Sequence, residues 1–596
     1  MLAESLATEP FIIADTSLNE IDLEFYLSYR NSTTPRIGRG PSLLIEPCPD
    51  AVTRADCERH GLVLVQAKFG EFLAWLKGKF PTPPSVQDLI VPDIGTLFSP
   101  ALAPSKVLRF FSDFELIAGA ELVKSPSPSG FMYGREPDWR DIQQHFDIER
   151  SDNAHLRKFI DVGGGPDGRR LAILLDEAGT GKTTALKRLA NDLARSGVPV
   201  FSIHTLSRID AGNAIDCLSE CSASRVLIIA DNLAEHVEQL AEVLDAVPKS
   251  TKVIVIGAER SYRREYLKLL IGNLERIVGG LTPFSVSESE QLLEQYRRLG
   301  LVGDRGATEA PRRFATEIHH EPVAIQVCRI LNDFRPLDAI VKSLWKAAPE
   351  SHRLPYLTVA LAQHCYPGGV RYSILQATLG PTQTAGGLMN PVPLRLAESL
   401  IHEHFVVPLN STIADCILRH AAEFEKDLLF DAFRGLAGAL APYVNRKAVM
   451  KKSPEARLTG RLFDADKVVK PLLGPTNAEG FYISVREQWE WNSRYWEQRA
   501  LLKAESDLAT SIQFARHAVA IEHHSFPLTT LGKVLIRAME ASADERTSYF
   551  DEAFDALAAA IRGEAERSRI SVHPFSTLLY GAARYLELGR PLSGDQ

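Results

Sequence analysis

The stretch from Leu171 to Gly197 constrains this chain more than any other. Leu171-Ala172-Ile173-Leu174-Leu175 is a continuous apolar run, the pattern of a strand buried on both faces of a parallel sheet. It leads into Asp176-Glu177-Ala178-Gly179-Thr180-Gly181-Lys182-Thr183-Thr184. Leu186, Leu189, Ala190 and Leu193 then mark one face of a helix that Gly197 ends. Strand, Gly-rich loop and helix in this order are the context of a phosphate-binding loop. Gly179 and Gly181, flanking Thr180, let backbone N–H groups curl around a phosphate without a Cβ in the way. Lys182 would set its ammonium on the β- and γ-phosphates. The Thr183 hydroxyl would hold Mg²⁺, and Thr184 lies in the first turn of a helix whose dipole favours an anion. One position departs from G-x-x-x-x-G-K-[ST]: Asp176 stands where the first Gly belongs, and its charge is expected to weaken affinity. The plain alternative is a Gly-rich turn that binds nothing.

Downstream, Val226-Leu227-Ile228-Ile229-Ala230-Asp231 reads as a second buried strand ending in an acid. This is the Walker B arrangement, in which Asp231 would orient the Mg²⁺-bound water shell. Hydrolytic ATPases of this kind carry a second acid next, whereas here the position holds Asn232, a neutral amide. A third strand over Thr251–Gly257 leads to Ala258-Glu259-Arg260, where Arg260 sits in the place of a γ-phosphate sensor or is a solvated surface arginine. The expected catalytic set is therefore Lys182, Asp231, Asn232 and Arg260, the expected cofactors ATP (or GTP) and Mg²⁺, and the expected hydrolysis slow.

At 596 residues the chain is too long for one core, and the sequence divides accordingly. Residues 1–80 read as a small α/β module, with strands at Phe11–Ile13, Ser42–Ile45 and Leu62–Gln66 and a helix near Phe72–Leu76. Residues 81–150 form a linker region, because Pro81-Thr82-Pro83-Pro84 and Ser125-Pro126-Ser127-Pro128-Ser129-Gly130 forbid helix and ladder pairing. The P-loop domain spans 151–285 and opens with the Gly163–Gly168 run. Helical periodicity then takes over, with a helical lid at 286–350, a winged-helix-like region at 351–445 and a sensor-like helical region at 446–596. The fold class is thus an α/β P-loop core on a parallel sheet, a small N-terminal α/β module and a large all-α C-terminal region. Helices at Lys533–Ala541, Asp551–Glu566 and Thr577–Leu588 are similar to tetratricopeptide pairs without a clean 34-residue period; an irregular helical domain is the alternative.

Several classes are disfavoured. Lys and Arg total 67 against 75 Asp and Glu, a net charge of −8 that gives no global pull toward nucleic acid. Seven cysteines without paired C-x-x-C spacing argue against a disulfide framework and a zinc site, and His319-His320 and His523-His524 each lack further ligands nearby. Trp489 and Trp491 are expected to pack rather than stack on a base. With no apolar run near the bilayer-spanning length of about 20 residues and no basic signal start, a cytoplasmic location and no membrane partner are expected.

The loop, Asp231 and Arg260, followed by helices and a helical array, resemble a STAND NTPase. Leu281-Thr282-Pro283-Phe284 with Ser287-Glu288-Ser289-Glu290, Glu321-Pro322-Val323-Ala324, and Ala360–Leu379 extend the likeness through the lid and part of a winged helix. The resemblance implies nucleotide-switched signalling, with an N-terminal effector, C-terminal sensing of a protein or phage-derived trigger, homo-oligomer formation, and a bacterial defence setting. Separately, Phe11-Ile12-Ile13-Ala14-Asp15-Thr16-Ser17-Leu18-Asn19-Glu20-Ile21-Asp22-Leu23 is similar to the late Gly-Thr-Ser-Leu segment of sirtuin-like NAD-binding domains. Asp15 replaces the expected Gly, and the first NAD loop and the catalytic His are not in this chain, which implies an effector remnant without NAD hydrolysis. An unrelated α/β module is the alternative. The runner-up for the whole chain is a non-hydrolysing regulatory scaffold that binds a partner through its helices. A winged-helix DNA binder is a third reading that the acidic balance does not support.

Overall fold

The structure, a computed structural model, describes residues 11–14, 42–60, 62–81, 97–99, 102–117, 130–161, 170–203, 209–248, 252–264, 267, 275–379, 394, 396–398, 405–450, 453–542, 544–565 and 571–592. The segment Asp15–Leu23 and the runs Ser125–Ser129 and Gly163–Gly168 lie outside them. In the N-terminal module, β1 (Ile12–Ala14), β2 (Leu43–Ile45) and β3 (Val63–Val65) pair in parallel in that order. Helix α1 (Ala51–His60) joins β2 to β3, and α2 (Phe69–Lys79) follows. Ile13, Leu44, Cys57 and Leu62 form a small core between α1 and the sheet.

The central sheet has six strands in the order β4-β6-β7-β8-β5-β9. They are β4 (Phe114–Leu116), β5 (Leu171–Asp176), β6 (Val200–Ile203), β7 (Arg225–Asp231), β8 (Lys252–Arg260) and β9 (Glu275–Gly279). All pairs are parallel except β4 on β6, which is antiparallel. Side chains alternate between faces, and both faces are covered, as parallel strands require. One face sets Ala172, Leu174, Leu227, Ile229, Ile254 and Ile256 against α4 (Asp152–Asp161) and α5 (Lys182–Arg195). The other sets Ile173, Val226, Ile228, Val253 and Val255 against α6 (Val237–Ala246) and α3 (Pro104–Asp113). Segment 81–150, expected as a linker region, thus adds an edge strand and a packed helix to this sheet. An aromatic cluster seals that edge, with Phe110 stacked on Phe114 at 4.5 Å and edge-on to Phe201 at 5.1 Å. Phe110 is fully buried, which contributes roughly 1.5–3 kcal/mol.

Beyond the sheet, α7 (Val286–Arg298) begins at a capping box. Ser285 Oγ accepts from the Glu288 N–H at 3.2 Å, and Glu288 Oε2 accepts from the Ser285 N–H at 2.7 Å. With α8 (Pro311–Ile318) and α9 (Val323–Leu331) it encloses Leu293, Tyr296, Phe314, Ile318 and Ile330. Next come α10 (Glu350–Cys365) and a small antiparallel sheet in the order β10-β12-β11, formed by Val370–Arg371, Phe405–Pro408 and Leu396–Glu398. Helices α11 (Tyr372–Thr378), α12 (Ser411–Phe424), α13 (Lys426–Leu440) and α14 (Pro454–Leu462) pack with α10 in one large core. The described residues beyond α14 are mostly helical; α15 (Lys470–Ser484) kinks at Gly474, where φ is 74° and Pro475 follows. Trp489 is buried there and donates to the Ala437 carbonyl at 3.2 Å, so it packs as expected. Among the described residues no helix is long and apolar enough to cross a membrane.

Candidate functional site

The P-loop lies at the carboxyl ends of the strands, where β5 stands between β8 and β9. Gly179 and Gly181 have φ of 79° and 92°, the left-handed region that glycine enters without a Cβ penalty. Gly181 is the N-cap of α5 and also lacks a side chain where the chain turns into the helix. The Thr180 hydroxyl turns back to the Glu177 carbonyl at 3.2 Å, away from the cavity. Lys182 donates to the Asp176 carbonyl at 3.1 Å and the Glu177 carbonyl at 2.5 Å. Burial pushes its ammonium down, while Asp231 and Asp176 oppose that shift.

Thr183 and Asp231 meet directly, with Thr183 Oγ1 donating to Asp231 Oδ2 at 2.6 Å. This places a hydroxyl and a carboxylate, both hard oxygen donors, beside the loop lysine. They fit a Mg²⁺ ion that takes its remaining ligands from water and phosphate. Asn232 follows in the left-handed region at φ 55°, its N–H on Asp231 Oδ1 at 3.1 Å. Arg260 is the last residue of β8 and pairs in register with Asp176; its guanidinium makes no hydrogen bond or ion pair among the described residues. Lys182, Thr183, Thr184, Asp231, Asn232 and Arg260 all line one cavity of about 190 Å³. Its apolar wall includes Phe146, Phe284 and Tyr296.

Asp176 differs from its expected role. It ends β5, and its carboxylate accepts the Glu177 N–H at 2.7 Å and the Leu281 N–H at 3.0 Å. It closes the loop and ties it to the start of the lid, so repulsion of phosphate is not its only effect.

Two contributors, Arg150 and Thr412, escaped the sequence, and a third, Ala324, was placed in the lid without its contact to the loop. Arg150 is buried, lies over the Phe284 ring at 4.7 Å and donates to the Thr180 carbonyl at 3.0 Å. Ala324, in α9, donates its N–H to the Gly179 carbonyl at 2.9 Å. Thr412, in the first turn of α12, abuts Gly179 so closely that a Cβ there would stand 2.5 Å from its hydroxyl. The Thr412 hydroxyl is buried without a partner among the described residues. No local pattern marks these contacts, because each residue acts on the loop from 30 or more positions away.

Residues 129–268 match the family model described as Novel STAND NTPase 5. The match supports a STAND-type NTPase. It covers the P-loop, Asp231, Asn232, Arg260 and Arg150, while Ala324 and Thr412 belong to the chain beyond it. A STAND-type NTPase implies a bound nucleotide and Mg²⁺, and the loop geometry above accommodates both. No curated protein matches the chain. Among solved structures, "Structure of C. elegans PCH-2" is similar over 36% of this chain and 66% of that one, just under two thirds. The identity is 15% and the TM-score 0.25, a likeness on which no argument rests.

Proposed function

We propose that this chain is a nucleotide-switched STAND NTPase. In this reading the C-terminal helices sense a trigger and the N-terminal module is the effector platform. One observation carries it. The lid through Ala324 and the 351–445 region through Thr412 both touch Gly179, so phosphates in the loop act on two elements outside the core. A bound nucleotide would supply a phosphoanhydride, and Thr183 and Asp231 would hold its Mg²⁺. Lys182 would meet the phosphates of ATP or GTP, and Phe146, Phe284 and Tyr296 give the same cavity an apolar wall. The Asn232 amide orients a water without accepting its proton, so the state persists. The resemblance adds a bacterial defence or signalling setting, a protein or phage-derived trigger, a cytoplasmic location, self-association, and an N-terminal sirtuin-like remnant that does not consume NAD.

A second reading, a scaffold whose loop holds no nucleotide, is favoured by the Lys182 ammonium already resting on two loop carbonyls. Calorimetry of the full chain with ATP, ADP and GTP in Mg²⁺ separates the two. The switch requires saturable binding of at least one nucleotide; heat-silent titrations with all of them leave the scaffold.

A further inference from the structure

We propose that Glu235 is a latch by which the nucleotide site holds the C-terminal helices in place. Glu235 lies four residues after Asp231, in a short turn over Leu233–Glu235 that is rigidly tied to the sheet. The Ala234 N–H donates to Glu259 Oε2 at 2.9 Å, and the Leu233 side chain packs so tightly on Gly257 that a Cβ there would clash at 2.7 Å. Movement at the end of β7 therefore moves Glu235.

Its carboxylate gathers guanidiniums from two parts of the chain. Oε1 meets Arg263 Nη2 from the core at 2.8 Å and also Arg461, and Oε2 meets Arg457 Nη1 at 3.1 Å. Arg457 and Arg461 stand four residues apart on α14, on one helix face. The Glu235 side chain is 6% exposed and that of Arg457 15%, so the contact is largely withdrawn from water. Arg461 also donates to the Cys365 carbonyl at 3.1 Å and lies over the Tyr366 ring at 5.6 Å. Gln363 and Pro367, on either side of that pair, line the nucleotide cavity. The same arginine thus touches both the turn behind Asp231 and the Cys365–Tyr366 pair whose neighbours line the cavity.

The electrostatics make this contact abrupt. With Glu235 in place, Arg457 and Arg461 share a carboxylate; without it, they face one another as like charges, while Arg263 keeps Glu259 at 3.1 Å. A small shift of the Asp231–Glu235 turn therefore separates α14 from the core rather than stretching the contact.

The nucleotide arm of this inference rests on the proposed function; the contact itself does not. The test uses the full chain as Glu235→Gln, as Arg457→Gln with Arg461→Gln, and as all three together. Hydrogen exchange of Pro454–Leu462 is read without nucleotide, and release of mant-ADP is read with Mg²⁺. We expect at least tenfold faster exchange and tenfold faster release in the first two variants, with no further gain in the third. Parent-like exchange in Glu235→Gln overturns the latch. So does a lowered melting temperature with unchanged release, the signature of a purely structural tie. If Glu235→Gln does not fold, the double arginine variant decides, because it leaves Glu235 paired with Arg263. A parent that binds no mant-ADP is a failure of the nucleotide reading, and the exchange arm still decides whether Glu235 holds α14.

Discussion

The Asp176 carboxylate accepts the Leu281 N–H at 3.0 Å, joining the end of β5 to the turn that opens the lid. Because the same carboxylate also takes the Glu177 N–H, replacing it with Gly removes two backbone partners at once. Asp176→Gly is therefore expected to cost about 1–3 kcal/mol of stability and to weaken nucleotide binding. Asp176→Asn keeps one of the two acceptor oxygens and loses the charge, and is expected to lose less stability and to bind nucleotide more tightly than the Gly variant. Melting curves and calorimetry on both variants check this. Tighter binding by the Gly variant would mean that charge outweighs closure.

Lys182 is the lysine of the loop itself, and its ammonium is held in place by loop carbonyls. Lys182→Ala is expected to lower nucleotide affinity at least 100-fold and to leave the melting temperature of the free chain nearly unchanged, since a partly buried charge goes with its hydrogen bonds. Equal affinity of variant and parent in the same titration would remove the P-loop assignment.

Acid is expected to weaken the fold in two steps. His236 is buried, its Nε2 has no partner among the described residues, and burial together with Arg457 holds its pKa at about 4 instead of 6.5. The unfolded chain takes up that proton first, so stability falls from about pH 6.5 to 4 and no further on this account. For Glu235, burial alone would raise the carboxyl, but Arg461, Arg263 and Arg457 outweigh it and hold it at about 2 instead of 4.5. Its contribution is complete above about pH 4.5 and is lost as pH falls toward 2. A shift of this size corresponds to about 3 kcal/mol for each group. Melting between pH 7 and pH 3 reads both steps, and His236→Gln should flatten the upper one. A parent curve flat from pH 7 to pH 4 would contradict the His236 step.

What the sequence disclosed follows from range. Leu171–Leu175, Gly179, Gly181 and the helix face from Leu186 to Leu193 are local patterns, and each corresponds to an observed element. The third strand was expected over Thr251–Gly257, but it continues through Arg260, because Ala258–Arg260 pair with Leu174–Asp176. The role of Asp176 was hidden because its partner Leu281 lies 105 residues away. Likewise, Glu235 is an ordinary acid until Arg457 comes beside it from 222 residues downstream. The edge strand Phe114–Leu116 is three residues long and follows directly on α3, too short for any period to show.

In the proposed switch, Asn232 stands where the rate of resetting would be set. It lines the cavity next to Asp231 and sits at φ 55°, ψ 51°, a conformation that Asn adopts more readily than most residues. An amide can hydrogen-bond a water but takes no proton, and general-base help is worth about 10²–10⁴-fold. Asn232→Glu is expected to raise single-turnover hydrolysis within that range with little change in affinity, because Asp231 still supplies the metal contact. The longer side chain carries a penalty of roughly 1–2 kcal/mol in the left-handed region, visible as a lower melting temperature. Asn232→Asp tolerates the backbone better, but its carboxylate is one methylene shorter, so it should gain less rate and lose less stability. Asp231→Asn should instead weaken Mg²⁺-dependent binding, since it removes the carboxylate that Thr183 meets at 2.6 Å. Hydrolysis and binding are measured separately for all three variants beside the parent. A parent that already hydrolyses faster than both Asn232 variants would show that another side chain in the cavity accepts the proton.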